Sequence, residues 1–190
     1  MKNDFNWLDR LIRFLRINKI KKFLKNSKKI CDLGCGDGKI LHYLYRKFKL
    51  EYALGIDYKI ENFKKNNLLF LRGDISKIPV NDQFFDTTLL LAVIEHLDIN
   101  ELSPILTEIK RVLAEKGKLI ITTPSSRSKP ILEFLAFRLG IISKKEIEDH
   151  KHYYALKEIC DLLEKSGFGI EYSKTFQFGL NLLVVAKKLL

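Results

Sequence analysis

No stretch of this 190-residue chain stays apolar for the roughly 18 residues that a membrane-crossing helix requires. A secretory leader is not expected either. The opening residues, MKNDFNWLDRLIRFLRINKIKKFLKNSKK, hold no uninterrupted apolar core and no small-residue cleavage site. Cysteine is scarce. Cys31, Cys35 and Cys160 are odd in number and lack paired metal-ligand spacing, which points to a reduced, cytoplasmic protein. Repeats, linkers and low-complexity tracts are missing, so one globular domain is the simplest expectation. Acidic residues are also short, 23 against 34 Lys and Arg, for a net charge of +11.

That excess is local. Residues 1–29 carry ten Lys or Arg against Asp4 and Asp9, which is +8 of the +11. Trp7, Leu8, Leu11, Ile12 and Leu15 form a helical apolar stripe, opposite Arg10, Arg13, Lys21, Lys22 and Lys25. Residues 1–27 are therefore expected to form a basic amphipathic helix ahead of a domain over 28–190. Such a helix either packs on the domain with a solvated basic face or meets an anionic membrane surface or polyanionic substrate.

From Lys28 onward strands and helices alternate. KKICDLG, YALGID, NLLFLRGD, FDTTLLLAV and GKLIITTPS read as strands, the second followed by a short polar segment around Glu61 to Asn67. KILHYLYRKFK and ELSPILTEIKRVLA read as helices between them. Near-continuous apolar strands with intervening helices imply a Rossmann-like, doubly wound α/β sheet, mostly parallel, with helices on both faces. After Pro124 come an apolar helix at 130–142, a polar loop SKKEIEDHKHYY and an amphipathic helix ended by glycine. IEYSKTFQFG and LNLLVVAKKL then read as a hairpin that adds an antiparallel strand.

The turn DLGCGDG carries the first functional signal. It lies between a strand and a helix, where glycines let the backbone turn tightly and approach a ligand. The helix that follows offers unpaired N–H groups to an anion. Asp57 closes the second strand about twenty residues on, where a carboxylate can accept both hydroxyls of a ribose. Asp32, before the first glycine, would repel a pyrophosphate and attract a cationic amino group. Asp74 ends the third strand beside Ile75, suited to an adenine edge and face. The implied ligand has an amine, a ribose and an adenine.

DLGCGDG (32–38), GIDY (55–58), RGDISKIPV (72–80), FDTTLLLAVIEHL (85–97) and LAEKGKLIITTP (113–124) together resemble the class I S-adenosylmethionine-dependent methyltransferases, specifically type 11. The resemblance covers most of the chain from Lys28 and implies a seven-stranded sheet with a reversed terminal strand. It also implies S-adenosyl-L-methionine as cofactor. By resemblance, Asp32, Gly34, Cys35 and Gly36 would surround the methionine part. Asp57 with Tyr58 would hold the ribose, Asp74 and Ile75 the adenine, and Ala92 would offer its backbone to the amino end.

Methyl transfer to a hydroxyl benefits from a base. Glu95, His96, His150, His152 and Tyr153 are candidates, the last three within a loop that, with the inserted helix, gives 125–155 the character of a substrate lid. Some relatives bind a divalent metal through Glu-x-x-Glu-His. Here the first position is Ala92, so no metal is expected, and the His150-x-His152 pair shows no third ligand in the sequence. The Asn/Asp-Pro-Pro-Tyr/Phe motif, the Pro-Cys nucleophile and the two-glutamate loop of base and protein-arginine methylating enzymes are absent. A small-molecule, lipid or glycan acceptor is favoured, with O- or N-methylation. The alternatives are an RNA methyltransferase, suggested by a pI near 9.5, and a non-catalytic cofactor-binding partner protein.

Overall fold

The computed structural model describes residues 6–138 and 144–189, without the side chains of 6–10, 145 and 146. The side chains of Trp7 and Leu8 in the expected stripe and of Arg10 opposite it, and the end of the apolar helix at 139–142, therefore lie outside what is described.

Eight strands form one sheet: β1 (Lys29–Leu33), β2 (Tyr52–Asp57), β3 (Phe63–Lys65), β4 (Leu68–Arg72), β5 (Phe85–Leu91), β6 (Leu113–Pro124), β7 (Phe168–Phe176) and β8 (Asn181–Lys188). Their order is β3-β4-β2-β1-β5-β6-β8-β7. β4, β2, β1, β5 and β6 run parallel, while β8 is antiparallel to both β6 and β7, as the terminal hairpin implied. The count corrects the expected seven. The polar segment after β2 contains β3, three exposed residues paired antiparallel to β4. Tertiary pairing makes that strand, since FKK has no apolar alternation of its own; Phe63 rests against the Phe70 ring at 6.1 Å.

Side-chain alternation along the strands divides the core in two. Cys31, Leu33, Leu90, Leu119, Ile121, Val184 and Ala186 face one side, with α3 (Ile99–Val112) and α6 (Leu156–Lys165). Ile30, Leu89, Leu91, Ile120, Leu183 and Val185 face the other, with α2 (Lys39–Phe48). Leu102, Ile105, Leu106 and Ile109 recur at helical spacing in α3 and are buried; each such side chain contributes about 1.5–3 kcal/mol.

The N-terminal α1 (Asn6–Ile20) runs into this second layer, where Ile20 and Leu24 are fully buried. Its basic face is only partly solvated. Arg13 is drawn to Asp37 at 2.8 Å, and Arg16 is half-buried. Past β6 come a short α4 (Lys129–Glu133), a wider π turn over Phe134–Arg138, and α5 (Lys144–Glu148) inside the segment expected to be loop. Among the described residues, no helix is long and apolar enough to cross a membrane.

Candidate functional site

The strand order reverses between β1 and β5, and a cleft of about 2240 Å³ opens at their carboxyl ends. Its floor is the glycine turn. Gly34 and Cys35 donate their N–H groups to the Ile56 carbonyl at 2.8 and 3.2 Å, which ties the turn to β2. Gly34 has φ +72°, and a Cβ there would fall 2.5 Å from Val93 Cγ2. Gly36 has φ +57°, and a Cβ there would meet nothing within 4 Å, so its backbone faces open space. Gly38, at φ +70°, caps α2. Cys35 is buried and burial pushes its thiol well up, so it is a filler of the turn.

Asp57 is buried and used on both oxygens. Oδ2 accepts the Gly36 N–H at 2.9 Å and Oδ1 the Lys59 N–H at 2.8 Å. A carboxylate has about four lone-pair sites, so acceptor capacity remains. Tyr58 beside it is 65% exposed on the rim. Asp74 also lines the cleft, but its Oδ1 accepts the Ser76 N–H at 2.8 Å and this bond lowers its pKa. Ile75 is half-buried next to it. Ala92 sits at φ +58°, a costly conformation for a residue with a Cβ, with its N–H on the Thr122 carbonyl at 2.7 Å.

Asp32, at the end of β1 just before the turn, is 2% exposed and is not among the residues that line the cleft. Among the described residues nothing donates a hydrogen bond to it. Burial, then the charge of Asp57, raises its pKa to about 7. The folded state therefore holds the proton that the unfolded chain releases near pH 4. The penalty for ionising Asp32 is absent below that pH, grows as pH rises, and is complete above about 7. Asp32→Asn should raise the melting temperature at pH 8 but not at pH 4, a gain of about 1–2 kcal/mol. Equal shifts at both pH values would show that Asp32 is not buried as an acid.

At the far end of the cleft the structure assembles a cluster. The Glu95 carbonyl accepts the N–H groups of Lys151 and His152 at 2.8 and 3.2 Å, while Lys151 Nζ pairs with Asp98 and Glu101 at 2.7 and 3.1 Å. This brings His150 onto His96, with ring centroids 4.8 Å apart. Glu95 is 1% exposed, accepts the Thr123 hydroxyl at 2.9 Å, and has its pKa raised by burial. His96 Nδ1 lies 3.1 Å from the Asp149 carbonyl, which only accepts; that nitrogen carries the proton and Nε2 bears the lone pair. His150 Nδ1 contacts the Tyr153 hydroxyl at 2.9 Å, and burial followed by the charge of His96 lowers its pKa to about 4.

His152 does not join them. Its Nε2 lies 2.8 Å from Glu158 and its ring packs edge-on against Tyr154 at 4.4 Å. The segment turns His150 toward His96 and His152 toward Glu158 of α6. The histidine pair is thus His96 with His150. One ligand atom each from Glu95, His96 and His150 lie within 4.8 Å of one another, a donor set for a cation that the His-x-His spacing did not disclose. Arg13, Arg16 and Asp37 were also missed, because only the fold shows which face of α1 meets the cleft.

Residues 31–121 match a family model described as a methyltransferase domain. An uncharacterized protein of Methanocaldococcus jannaschii is 30% identical over 177 residues, covering 91% of this chain and 69% of that one. A ubiquinone/menaquinone biosynthesis C-methyltransferase of Campylobacter jejuni is 25% identical over 193 residues, covering 88% and 81%. Burkholderia thailandensis 1,6-didemethyltoxoflavin-N1-methyltransferase, solved with that compound and S-adenosylhomocysteine bound, shares the fold with a TM-score of 0.73 at 16% identity, over 96% of this chain and 80% of the other. The chain belongs to the class I S-adenosylmethionine-dependent methyltransferases, in the type 11-like family. It is an enzyme that uses S-adenosylmethionine. The residues present fit that cofactor: an open glycine cradle and a strand-end carboxylate with acceptor capacity left.

Proposed function

We propose that the enzyme methylates a hydroxyl or amine of a small amphiphilic acceptor. The observation that carries this is the His96–His150 pair, set at one end of a cleft that α1 and the 125–155 segment wall with Leu11, Leu15, Ile131 and Leu135. The cofactor would lie on Gly34–Gly36, with Asp57 at the ribose, Asp74 and Ile75 at the adenine, and the Ala92 backbone near the amino end. Asp32 would act through its field from beneath. When bound, the cofactor supplies an electrophilic methyl group. The chain supplies the rest. α1 and the insert exclude water, the apolar wall orients the acceptor, and His96 Nε2 takes the acceptor's proton.

A second reading has one observation behind it. Glu95, His96 and His150 could together hold a divalent cation. Arg16 weighs against it, because its guanidinium acts electrostatically on Glu95 and would repel a dication there.

The test is acceptor incorporation. The enzyme is incubated with S-adenosylmethionine and, separately, alkyl phenols, long-chain hydroxy acids, acylated amines and total transfer RNA, and products are read by mass spectrometry. Methylation of the amphiphiles and not of RNA is expected. Methylation of RNA alone overturns the small-acceptor reading and supports an RNA methyltransferase.

A further inference from the structure

Arg16 has no task in the chemistry above. It lies on α1 and lines the same cleft as Glu95, His96 and His150. Three other cations of the lining are matched, Lys39 by Asp37 at 2.9 Å among them. Arg13 Nη1 reaches both oxygens of Asp37 at 3.0 and 2.8 Å, and Lys151 has Asp98 and Glu101. Arg16 forms no ion pair with a carboxylate among the described residues, and its Nε is buried without a hydrogen-bond partner. A guanidinium stays charged, and withholding a partner from a buried donor of that kind is costly.

Glu95 does not supply the missing anion. Its carboxyl is engaged by Thr123 and pushed toward the neutral acid by burial. The cleft therefore contains a cation awaiting an anion, an apolar wall and a proton acceptor. We infer that Arg16 binds an oxyanion of the acceptor, a carboxylate or a phosphate, so that the substrate is a hydroxylated amphiphile with one acidic group. The planar fork of arginine matches either oxyanion. This rests on the small-acceptor reading of the same cleft.

The cofactor's own carboxylate is the competing anion. Arg13 is the cation fastened over the glycine turn, through Asp37, whereas Arg16 shares the lining with His96 and His150 and its Nε has no partner among the described residues. The experiment uses the full chain loaded with S-adenosylhomocysteine. Para-hydroxybenzoate, phenyl phosphate and neutral benzyl alcohol are titrated in, and the arginine Nε–H resonances are followed by NMR. The wild type should bind both anions at least about tenfold more tightly than benzyl alcohol, with the Arg16 resonance shifting. Arg16→Gln should abolish that preference, Arg16→Lys should restore part of it, and affinity for S-adenosylhomocysteine should hold.

Equal binding of the anions by wild type and Arg16→Gln overturns the inference. So does an Arg16→Gln variant that loses affinity for S-adenosylhomocysteine but not for methylthioadenosine, which lacks the carboxylate. Neither result depends on RNA methylation, whose exclusive occurrence would instead sink the small-acceptor reading. Stronger binding of phenyl phosphate than of para-hydroxybenzoate, or the reverse, identifies which oxyanion the site takes.

Discussion

Asp57→Ala should reduce affinity for S-adenosylhomocysteine by about 100-fold or more in a calorimetric titration. Two losses combine. The carboxylate cross-links the glycine turn to β2 through Gly36 at 2.9 Å and fixes the start of the next loop through Lys59 at 2.8 Å. Its remaining lone pairs are those proposed for the ribose hydroxyls. A hydrogen bond to a charged group is worth about 1.5–3 kcal/mol, and two of them correspond to a factor of 100 or more in binding. Asp57→Asn separates the parts. The amide oxygen can still accept from Gly36, so the turn stays in place while the second acceptor is lost. An intermediate loss is expected there. If both variants bind like wild type, Asp57 has no place in the cofactor site.

Local chemistry makes the proposed cofactor half readable from the sequence. A glycine turn, the strand before it and the acid ending the next strand are short-range features, and β1 and β2 occupy the residues that the apolar runs marked. The proposed acceptor half depends on long-range placement. His150 reaches His96 because the Glu95 carbonyl captures the Lys151 and His152 N–H groups more than fifty residues away. Nothing in EDHKHYY specifies that partner, and an i, i+2 pair on extended backbone shares one face, so the spacing does not disclose that the two histidines part. In the sequence Arg13 reads as part of a basic face, and Arg16 carries no signal of its own. A spacing of three places them on one side of α1, and only the packing of that helix over the cleft turns that side inward. β3 was invisible for a simpler reason, since its three residues are exposed and held by β4.

His96→Asn should lower kcat by about 10²–10³-fold with a methylated acceptor in hand, while binding of S-adenosylhomocysteine stays within about twofold. Asparagine is chosen because its amide can donate to the Asp149 carbonyl as Nδ1 does now, preserving the turn while removing the base. The residual rate should climb with pH, because hydroxyl acceptors then ionise without help. His150→Asn should cost much less. With its pKa lowered to about 4 by burial and by His96, His150 is neutral near pH 7 and a weak proton acceptor, better suited to positioning the His96 ring. The same assay separates base from cation. Insensitivity to a chelator supports proton transfer at His96. Chelator inactivation that a divalent ion reverses, with equal losses from Glu95→Gln, His96→Asn and His150→Asn, would instead make the three side chains a metal site.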